Sequence, residues 1–258
     1  MKQVIPYIIS DNSVSGYYKN RSFSLPKNHA LFTQVVAALK SGETSALDNM
    51  LNIAEAYRKI INKVIAAVSV VSDNGMVAYD GTDLFYGNKK VTNVLKPKFK
   101  KAISDGVNER ALVNFISKSY LNPSQIAVSE AFDFLSYREL PITESGNVLA
   151  FKGIRDDYYS VRHNESPSFY LVQGSMDSKG HIYNAPGEIV EVPRCEVDSE
   201  RSNHCARGLH IGSFDYAKGW GKRVVIVESD PSDFVSVPED CNFQKMRVAK
   251  YSVISEIV

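Results

Sequence analysis

The amino-acid sequence predicts an α+β protein with a front region of helices and a strand meander, followed by helices and a mostly antiparallel β C-terminal domain. Two stretches, 28–63 and 92–138, carry apolar residues at helical spacing, whereas short strand-like segments fill the chain from residue 142 onward. The composition, 44% hydrophobic and 23% charged over 258 residues, is that of a globular chain long enough for one large domain or two small ones. We therefore predict an α+β N-terminal region at 1–121 and a mostly β C-terminal domain at 122–258.

The front region is predicted to contain a helix pair and a strand meander. Apolar residues recur every three or four positions from Leu31 to Tyr57, and the polar turn "SGE", with Thr44 as a helix cap, divides them into two helices. The segments "VIAAVSVVS", "MVAYD" and "LFYG" follow, separated by turns at "DNG" and Gly81. Their length and composition are typical of short strands that pair with their neighbours along the chain.

The rest of the chain changes from helical to strand-like character. Helical spacing over 92–138 falls into three segments, separated at Gly106 and at "NPS", where Ser124 is a good helix cap. Beyond residue 142 only "SFDYAKG" has a helical pattern, and eight segments have the pattern of strands. The eight are "NVLAFKGI", "YYSV", "FYLV", "EIVEV", "GLHIG", "RVVIV", "DFVSV" and "MRVAKYSVI".

The balance of charge argues against nucleic acid as a partner. Lys and Arg number 30 and Asp and Glu number 29, so the net charge is +1 and no block of like charge stands out. Aromatic and basic residues interleave in "YYKNRSFSLPK", as in a groove for single strands, but a short exposed hairpin has the same composition. We therefore expect no nucleic-acid partner.

The sequence contains neither an export signal nor a membrane span of the usual length. The first apolar stretch is interrupted by Pro6, and the longest apolar run, 64–72, is far below the roughly 20 residues of a membrane-spanning helix. Three cysteines, Cys195, Cys205 and Cys241, are an odd number in a chain of this kind. We expect a cytoplasmic protein with reduced thiols and no disulfide framework.

Chemically active side chains are concentrated in "HCARGLHIGSFDYAKGW", residues 204–220. Cys195, His204, Cys205 and His210 supply zinc-type ligand atoms, but they lack the paired spacing of two ligands on one turn, and we assign no metal. Cys205 as a nucleophile would need His204 or His210 as its base, and no third orienting residue is identifiable. The structural alternative is a turn and a strand whose glycines permit unusual backbone angles.

The same stretch, continued through "RVVIVES", is similar to a segment of the ADP-ribosyltransferase fold. The resemblance implies that His210 stacks on a nicotinamide ring and that "FKG" at 151–153, with Lys152, holds the dinucleotide. The catalytic glutamate of that fold has no clear counterpart, since Glu228 stands at the end of its strand. The candidate functional cleft consists of His210, Lys152, Cys205 and Glu228, with no catalytic residue and no cofactor assigned.

Five blocks of sequence in the back part carry a more specific resemblance. They are "NPSQIAVSEAFDFL" (122–135), "LPITESGNVLAFKGIRDDY" (140–158), "PGEIVEVPRCEVD" (186–198), "CARGLHIGS" (205–213) and "DFVSVPEDCNFQKMRVAKYSV" (233–253). Their order and spacing resemble the rIIB family of tailed bacteriophages. The front half resembles the family more loosely, chiefly at "LFTQVVAALKSGE" and "GTDLFYGNKKV".

The resemblance implies a phage accessory protein made in the infected bacterium. The family is associated with protection of lytic growth against exclusion by a resident prophage, and with the timing of lysis. It acts with a partner of the rIIA type, which itself resembles the GHKL ATPases. Better-known members begin with a segment that resembles a helix-turn-helix, and we expect no DNA binding from this chain, which begins without it.

Our leading hypothesis is a non-enzymatic protein that acts by protein–protein contacts in the host cytoplasm. The alternative is a nucleotide-binding or ADP-ribosyltransferase-like enzyme built on the C-terminal half. A homo-oligomer and a peripheral membrane association through a partner are both left open.

Overall fold

A computed structural model describes residues 5–18, 21–29, 31–44, 47–48, 70–90, 99, 108–138, 140–163 and 169–257. Two compact units divide the chain: the first comprises Met1–Ser119 with Pro141–Gly146, and the second comprises Tyr120–Leu140 with Asn147–Val258. Most of the second predicted front helix, the start of "VIAAVSVVS" and most of the predicted helix before Gly106 lie outside the described residues.

The first unit begins with an antiparallel three-stranded sheet covered by a helix. The strands are β1 (Tyr7–Ile9), β2 (Ser13–Tyr18) and β3 (Arg21–Pro26), in that spatial order, and the helix is α1 (Phe32–Ser41). One apolar cluster joins them: Ile5, Val14, Tyr18, Leu25, Val35, Ala38, Leu39 and Leu47. The hairpin expected in "YYKNRSFSLPK" is present, but its first strand is largely buried under this cluster instead of exposed.

The second sheet of this unit is the predicted meander. Its strands β4 (Val70–Val71), β5 (Val77–Tyr79), β6 (Leu84–Tyr86) and β7 (Lys89–Lys90) pair in sequence order, all antiparallel. Helix α2 (Glu109–Ser119) packs on β4 and β5 with the apolar face that its 3.6-residue period predicts.

The chain returns to the first unit at Pro141–Gly146 after leaving it at Ser119. Buried Asn114 of α2 donates to the Glu144 carbonyl at 2.8 Å and, through the same amide nitrogen, to Asp73 Oδ2 at 2.8 Å. Gly146 has a φ of 85°, and a Cβ there would lie 2.4 Å from the backbone of Asn114. A glycine is therefore required where this segment crosses α2.

The second unit is built on one seven-stranded antiparallel sheet. The strands are β8 (Val148–Ile154), β9 (Ile189–Glu191), β10 (Leu209–Gly212), β11 (Arg223–Ser229), β12 (Phe234–Ser236), β13 (Lys245–Val248) and β14 (Lys250–Ile257). Their spatial order is β12-β13-β10-β8-β11-β14-β9. The sequence therefore predicted the fold class correctly, with its mostly antiparallel C-terminal sheet.

Two helices accompany this sheet. Helix α3 (Gln125–Arg138) begins behind Ser124, whose Oγ accepts a hydrogen bond from the Ala127 amide at 3.2 Å, as the sequence predicted. It packs against β12. Helix α4 (Phe214–Trp220) is the predicted "SFDYAKG" helix, capped by the Ser213 side chain, and it lies against β8.

Two of the predicted strands do not form: "YYSV" makes only isolated bridges, and "FYLV" makes none. In "YYSV", Ser160 bridges to Ile154 and Tyr159 to Tyr183, and Tyr158 has a φ of 66°, which interrupts an extended strand. In "FYLV", the backbone of Val172 reaches only the Glu191 carbonyl. Within the described residues no helix is both long and apolar enough to cross a lipid bilayer.

Candidate functional site

The two central members of the candidate cleft, His210 and Lys152, lie on neighbouring strands. Lys152 Nζ donates a hydrogen bond to the His210 carbonyl oxygen at 3.0 Å. Gly212 of β10 pairs with Phe151 of β8, so His210, two residues before Gly212, points to the same face as Phe151. Lys152 points to the opposite face. The structure therefore joins these residues through a backbone group, while their side chains diverge.

The His210 imidazole is held neutral by its surroundings. Burial first, and then the nearby cations Lys152, Lys245 and Arg247, lower the pKa of His210 to about 3. Its Nε2 is inaccessible to solvent and has no hydrogen-bond partner. A ring that stays neutral across the physiological range cannot serve as a general acid there.

Lys152 occupies the apolar face of the sheet. Its ammonium lies 5.5 Å from the centre of the Tyr251 ring, and Tyr251 is itself buried and bonded to the Asn184 side chain. Burial lowers the pKa of Lys152 to about 8. The amine is thus partly deprotonated in mildly alkaline solution, but its surroundings are ring and backbone atoms, with the His210 carbonyl as its hydrogen-bond acceptor.

Two buried cations on β13 flank His210. His210 pairs directly with Arg247, and Lys245 follows two residues away on the same face. Lys245 is 3% exposed, and its ammonium donates to the His204 carbonyl and to Asp240 Oδ2, both at 2.6 Å. A buried ammonium needs such partners because desolvation of an unpaired charge is costly.

Arg247 is fully buried and organises the loop that precedes β10. Its guanidinium donates to the carbonyls of Asp198 at 3.0 Å and Glu200 at 2.9 Å, and also to the carbonyl of Asn203. The five-donor fork of arginine suits several acceptors at once. The loop 198–207, which contains the "HCAR" part of the motif, is therefore folded around a side chain from another strand.

Lys245 and Arg247 were not predicted from the sequence as residues that stabilise this loop. The pattern "KMRV" carries a usable signal, since two cations two residues apart in an apolar strand point to the same buried face. We assigned this segment only as a strand, because the identity of the acceptors depends on a loop more than forty positions away in sequence.

Cys205 lies close enough to buried Arg247 to oppose the lowering of the Arg247 pKa by burial. Its thiol is free and exposed, and Cys195, in the short 3-10 turn Arg194–Glu196, is also free and exposed. Among the described residues no group of three or more His, Cys, Asp or Glu side chains is arranged to hold a metal ion. Neither thiol is a hydrogen-bond partner of His210 Nε2, which has none.

Glu228 is on the same face as His210 but at another level of the sheet. It pairs with Leu149 and accepts a hydrogen bond from the Asn147 side chain at 3.0 Å. Along β8, Leu149 lies two residues to one side of the Phe151–Gly212 pair and His210 two residues to the other. Four residues of strand correspond to roughly 13 Å, so the carboxylate and the imidazole do not meet.

The residues around His210 are arranged to stabilise the local fold and are not arranged as a catalytic site. His210 is neutral, the Lys245 and Arg247 donors point to loop carbonyls, and Glu228 is distant. The part of the sheet described here therefore positions cations to fix a loop. A functional role for the four predicted cleft residues stays a prediction.

Comparison with known proteins gives the chain a family. The family model described as "Bacteriophage T4 protein rIIB" matches residues 2–257. Protein rIIB of Enterobacteria phage T4 is 30% identical over 235 residues, which are 90% of this chain and 66% of that protein, slightly under two thirds of its length. No solved structure matches, so the similarity to the ADP-ribosyltransferase fold stays a prediction. The chain therefore belongs to the rIIB family of bacteriophage proteins.

Proposed function

We propose that this protein is a phage accessory protein that acts by protein–protein contacts in the cytoplasm of the infected host, where it protects lytic growth against prophage exclusion or early lysis. The observation that carries the proposal is the family match over residues 2–257. T4 rIIB covers more sequence than this chain matches, so the activity is proposed for the part the two share.

The chemistry of the C-terminal sheet supports contacts over catalysis. A general acid or base must have a pKa near the working pH and must face its substrate. His210 has a pKa of about 3 and its Nε2 is inaccessible, while the carboxylate of Glu228 lies at another level of the sheet. Nucleotide chemistry would need these groups to converge on one ligand.

Exposed apolar side chains of the second unit also support contacts. Tyr170 is 56% exposed, and Val172 and Met176 of the same segment are exposed as well. Several large apolar side chains exposed on one short segment are more typical of surfaces that meet other proteins than are single apolar residues scattered over a surface.

The partner we propose is an rIIA-type protein, which resembles the GHKL ATPases. In this proposal the chain contributes a binding surface and the partner contributes any nucleotide chemistry. The absence of converging catalytic groups among the described residues of this chain is compatible with that division of roles.

Co-isolation from infected cells tests the proposal. An affinity-tagged copy of the chain, expressed from the phage genome, is purified and its companions are quantified by mass spectrometry. We expect the rIIA-type protein of the same phage to be recovered in near-stoichiometric amount, and to be missing from an untagged control. Recovery of the tagged chain alone, from cells that contain the rIIA-type protein, would refute the proposed partner.

A further inference from the structure

An open cavity of about 550 Å³ lies on the surface of the second unit, and none of the four predicted cleft residues lines it. The C-terminal end of α4 forms one side with Trp220, and the turn after β8 forms the other with Arg155, Asp156 and Asp157. Lys222, just before β11, completes the wall. The cavity is thus built where three elements of one sheet domain meet.

Most of the charges around the cavity are already paired. Arg155 pairs with Asp157, and Lys222 Nζ lies 2.9 Å from Asp156 Oδ2. Arg162 differs from these residues, because its guanidinium lies 5.5 Å from the centre of the Trp220 ring and has no ion pair with any described residue. Arg162 does not itself line the cavity, but it places a positive charge without a described counter-charge beside the tryptophan that does.

Trp220 presents a rigid surface to this cavity. Trp220 is 39% exposed, and the centre of its ring lies 5.9 Å from the centre of the Tyr216 ring. The adjacent Gly219 leaves the cavity open, since a Cβ at that position would meet no atom within 4 Å. Because the indole already contacts Tyr216 and Arg162, it loses little conformational entropy when a partner covers its exposed part.

The side chains at this cavity are those that dominate protein–protein interfaces. Tryptophan and arginine carry a large share of interface binding energy. A guanidinium stacked on an aromatic ring is oriented for two-point binding of a carboxylate. The cavity is open to solvent, which suits a side chain projecting from a partner better than a small molecule that must be enclosed.

We propose that the Trp220 cavity is a docking surface for a protein segment that presents a carboxylate beside an apolar side chain. The apolar side chain occupies the cavity against Trp220, and the carboxylate pairs with Arg162. This inference rests on the proposed function, because the segment is assigned to the partner with which the chain acts.

Binding of the purified rIIA-type protein to purified variants tests this surface. Arg162→Glu and Trp220→Ala should each weaken the affinity at least about tenfold. Matched controls on the same unit are Lys179→Glu and Ile126→Ala, both at exposed positions, and these should stay within about twofold of the parent. Unchanged affinity for both Arg162→Glu and Trp220→Ala would overturn the inference.

The tryptophan provides an independent readout, since the chain contains only one. With 5-fluorotryptophan incorporated, the free chain should give one fluorine resonance, and addition of unlabelled partner should shift it. A complex that leaves this resonance in place refutes docking at Trp220 while the proposed function stands. Failure of the parent chain to bind the partner at all refutes both proposals. Arg162→Glu removes no buried contact, so the test does not depend on whether Trp220→Ala folds.

Discussion

At the scale of single residues, His210 is unusual in being placed beside cations. An imidazole at this position cannot gain a proton without adding a charge next to Arg247 and Lys245, and its Nε2 has no acceptor to which it could donate one. Loss of the neutral form is therefore linked to unfolding. The same surroundings that disqualify His210 as a proton carrier should make it a source of acid sensitivity.

We predict that His210→Gln reduces the acid sensitivity of the protein. Between about 3, the pKa of His210 in the fold, and its ordinary value of 6.5, the unfolded chain binds a proton that the folded chain does not. The free energy of unfolding should therefore fall as the pH falls through this range, by up to about 1.4 kcal/mol per pH unit. Glutamine does not titrate, so the variant should lose stability less steeply in urea melts between pH 6.5 and 4.

Asp233 has the opposite effect on the free energy of unfolding in the same pH range. Because Asp233 is present in both proteins, its contribution cancels when the variant is compared with the parent. Burial first, and then Asp230, raise the pKa of Asp233 to about 6, so that the folded protein holds the extra proton there. This contribution to stability grows as the pH falls, and it is present in both proteins. Parallel stability curves for parent and His210→Gln would contradict the account of His210.

At the scale of elements, the loop 198–207 depends on a strand distant in sequence. Arg247 satisfies three carbonyls of this loop, and Lys245 satisfies a fourth. The Asp198 carbonyl also accepts from Ser236 Oγ, and the Glu200 carbonyl from the Asn203 amide, so among the described residues only the carbonyls of Asn203 and His204 depend on the cations alone. A buried carbonyl left without a donor costs about 1–3 kcal/mol, so both cations stabilise the loop conformation. The motif that looks most reactive in the sequence is thus shaped by side chains outside it.

Arg247→Met should lower the free energy of unfolding by about 1–3 kcal/mol, because it preserves much of the volume but removes three hydrogen bonds to the loop and leaves the Asn203 carbonyl without a described donor. Amide hydrogen exchange should accelerate first in residues 198–207. Arg207→Met is the matched control: this side chain is 58% exposed and pairs with Glu196, so its loss should cost no more than about 1 kcal/mol. Equal effects of the two substitutions would rule out the proposed role of Arg247.

Helix α4 lies so close to β8 that glycine is required between them. A Cβ on Gly153 would lie 2.2 Å from the Ala217 carbonyl oxygen and 2.9 Å from the Gly221 nitrogen. Both are backbone atoms, which cannot move without shifting the helix. The glycine of the "FKG" segment is therefore required by packing.

Gly153→Ala should destabilise the protein by about 2–3 kcal/mol, through displacement of α4. Gly219→Ala, within α4 and with open space around its Cβ, should instead be neutral or stabilising by up to about 1 kcal/mol, because alanine favours helix over glycine. Thermal melts of the two variants decide the matter. Destabilisation of similar size at both positions would show that close packing is not the reason for Gly153.

The sequence predicted the elements that local patterns determine, but not the contacts between distant strands. Helices α2, α3 and α4 and most strands follow from local patterns, such as the Ser124 cap before α3. "YYSV" has strand composition, yet the positive φ of Tyr158 is a consequence of the turn it belongs to. The contacts of Arg247 and the separation of Glu228 from His210 depend on register across several strands, which local patterns do not determine.

At the scale of the whole molecule, hydrogen bonds within the second unit join the start of helix α3 to the sheet. Buried Asn122, just before α3, donates to the carbonyls of Pro231 and Phe234, both at 2.8 Å. Its Oδ1 accepts from Arg194, which also donates to Phe234. The bonds of Asn122 join positions more than seventy residues apart within one unit, and Asn122 is the first residue of the predicted C-terminal domain.

We predict that a fragment from Asn122 to Val258 folds on its own. It should melt in one cooperative transition and keep the near-ultraviolet circular dichroism of packed aromatic side chains. A fragment from Asn147 to Val258 is the control: it loses α3 and the Asn122 bonds, and its melt should be weaker or absent. Solubility of the longer fragment only in the presence of residues 1–121 would contradict this prediction.

The central claim is that the chain protects phage growth through contacts with another protein and not through chemistry at His210. The most direct measurement is the plating efficiency of three phages, parent, deletion and His210→Gln, on matched hosts with and without the excluding prophage. Our account predicts that the deletion phage fails only on the lysogenic host, whereas the His210→Gln phage plates there like the parent. Normal plating of the deletion phage on the lysogen would contradict the protective role. A His210→Gln phage that fails as severely as the deletion, while its protein accumulates to the parental level, would contradict the claim that contacts alone are needed.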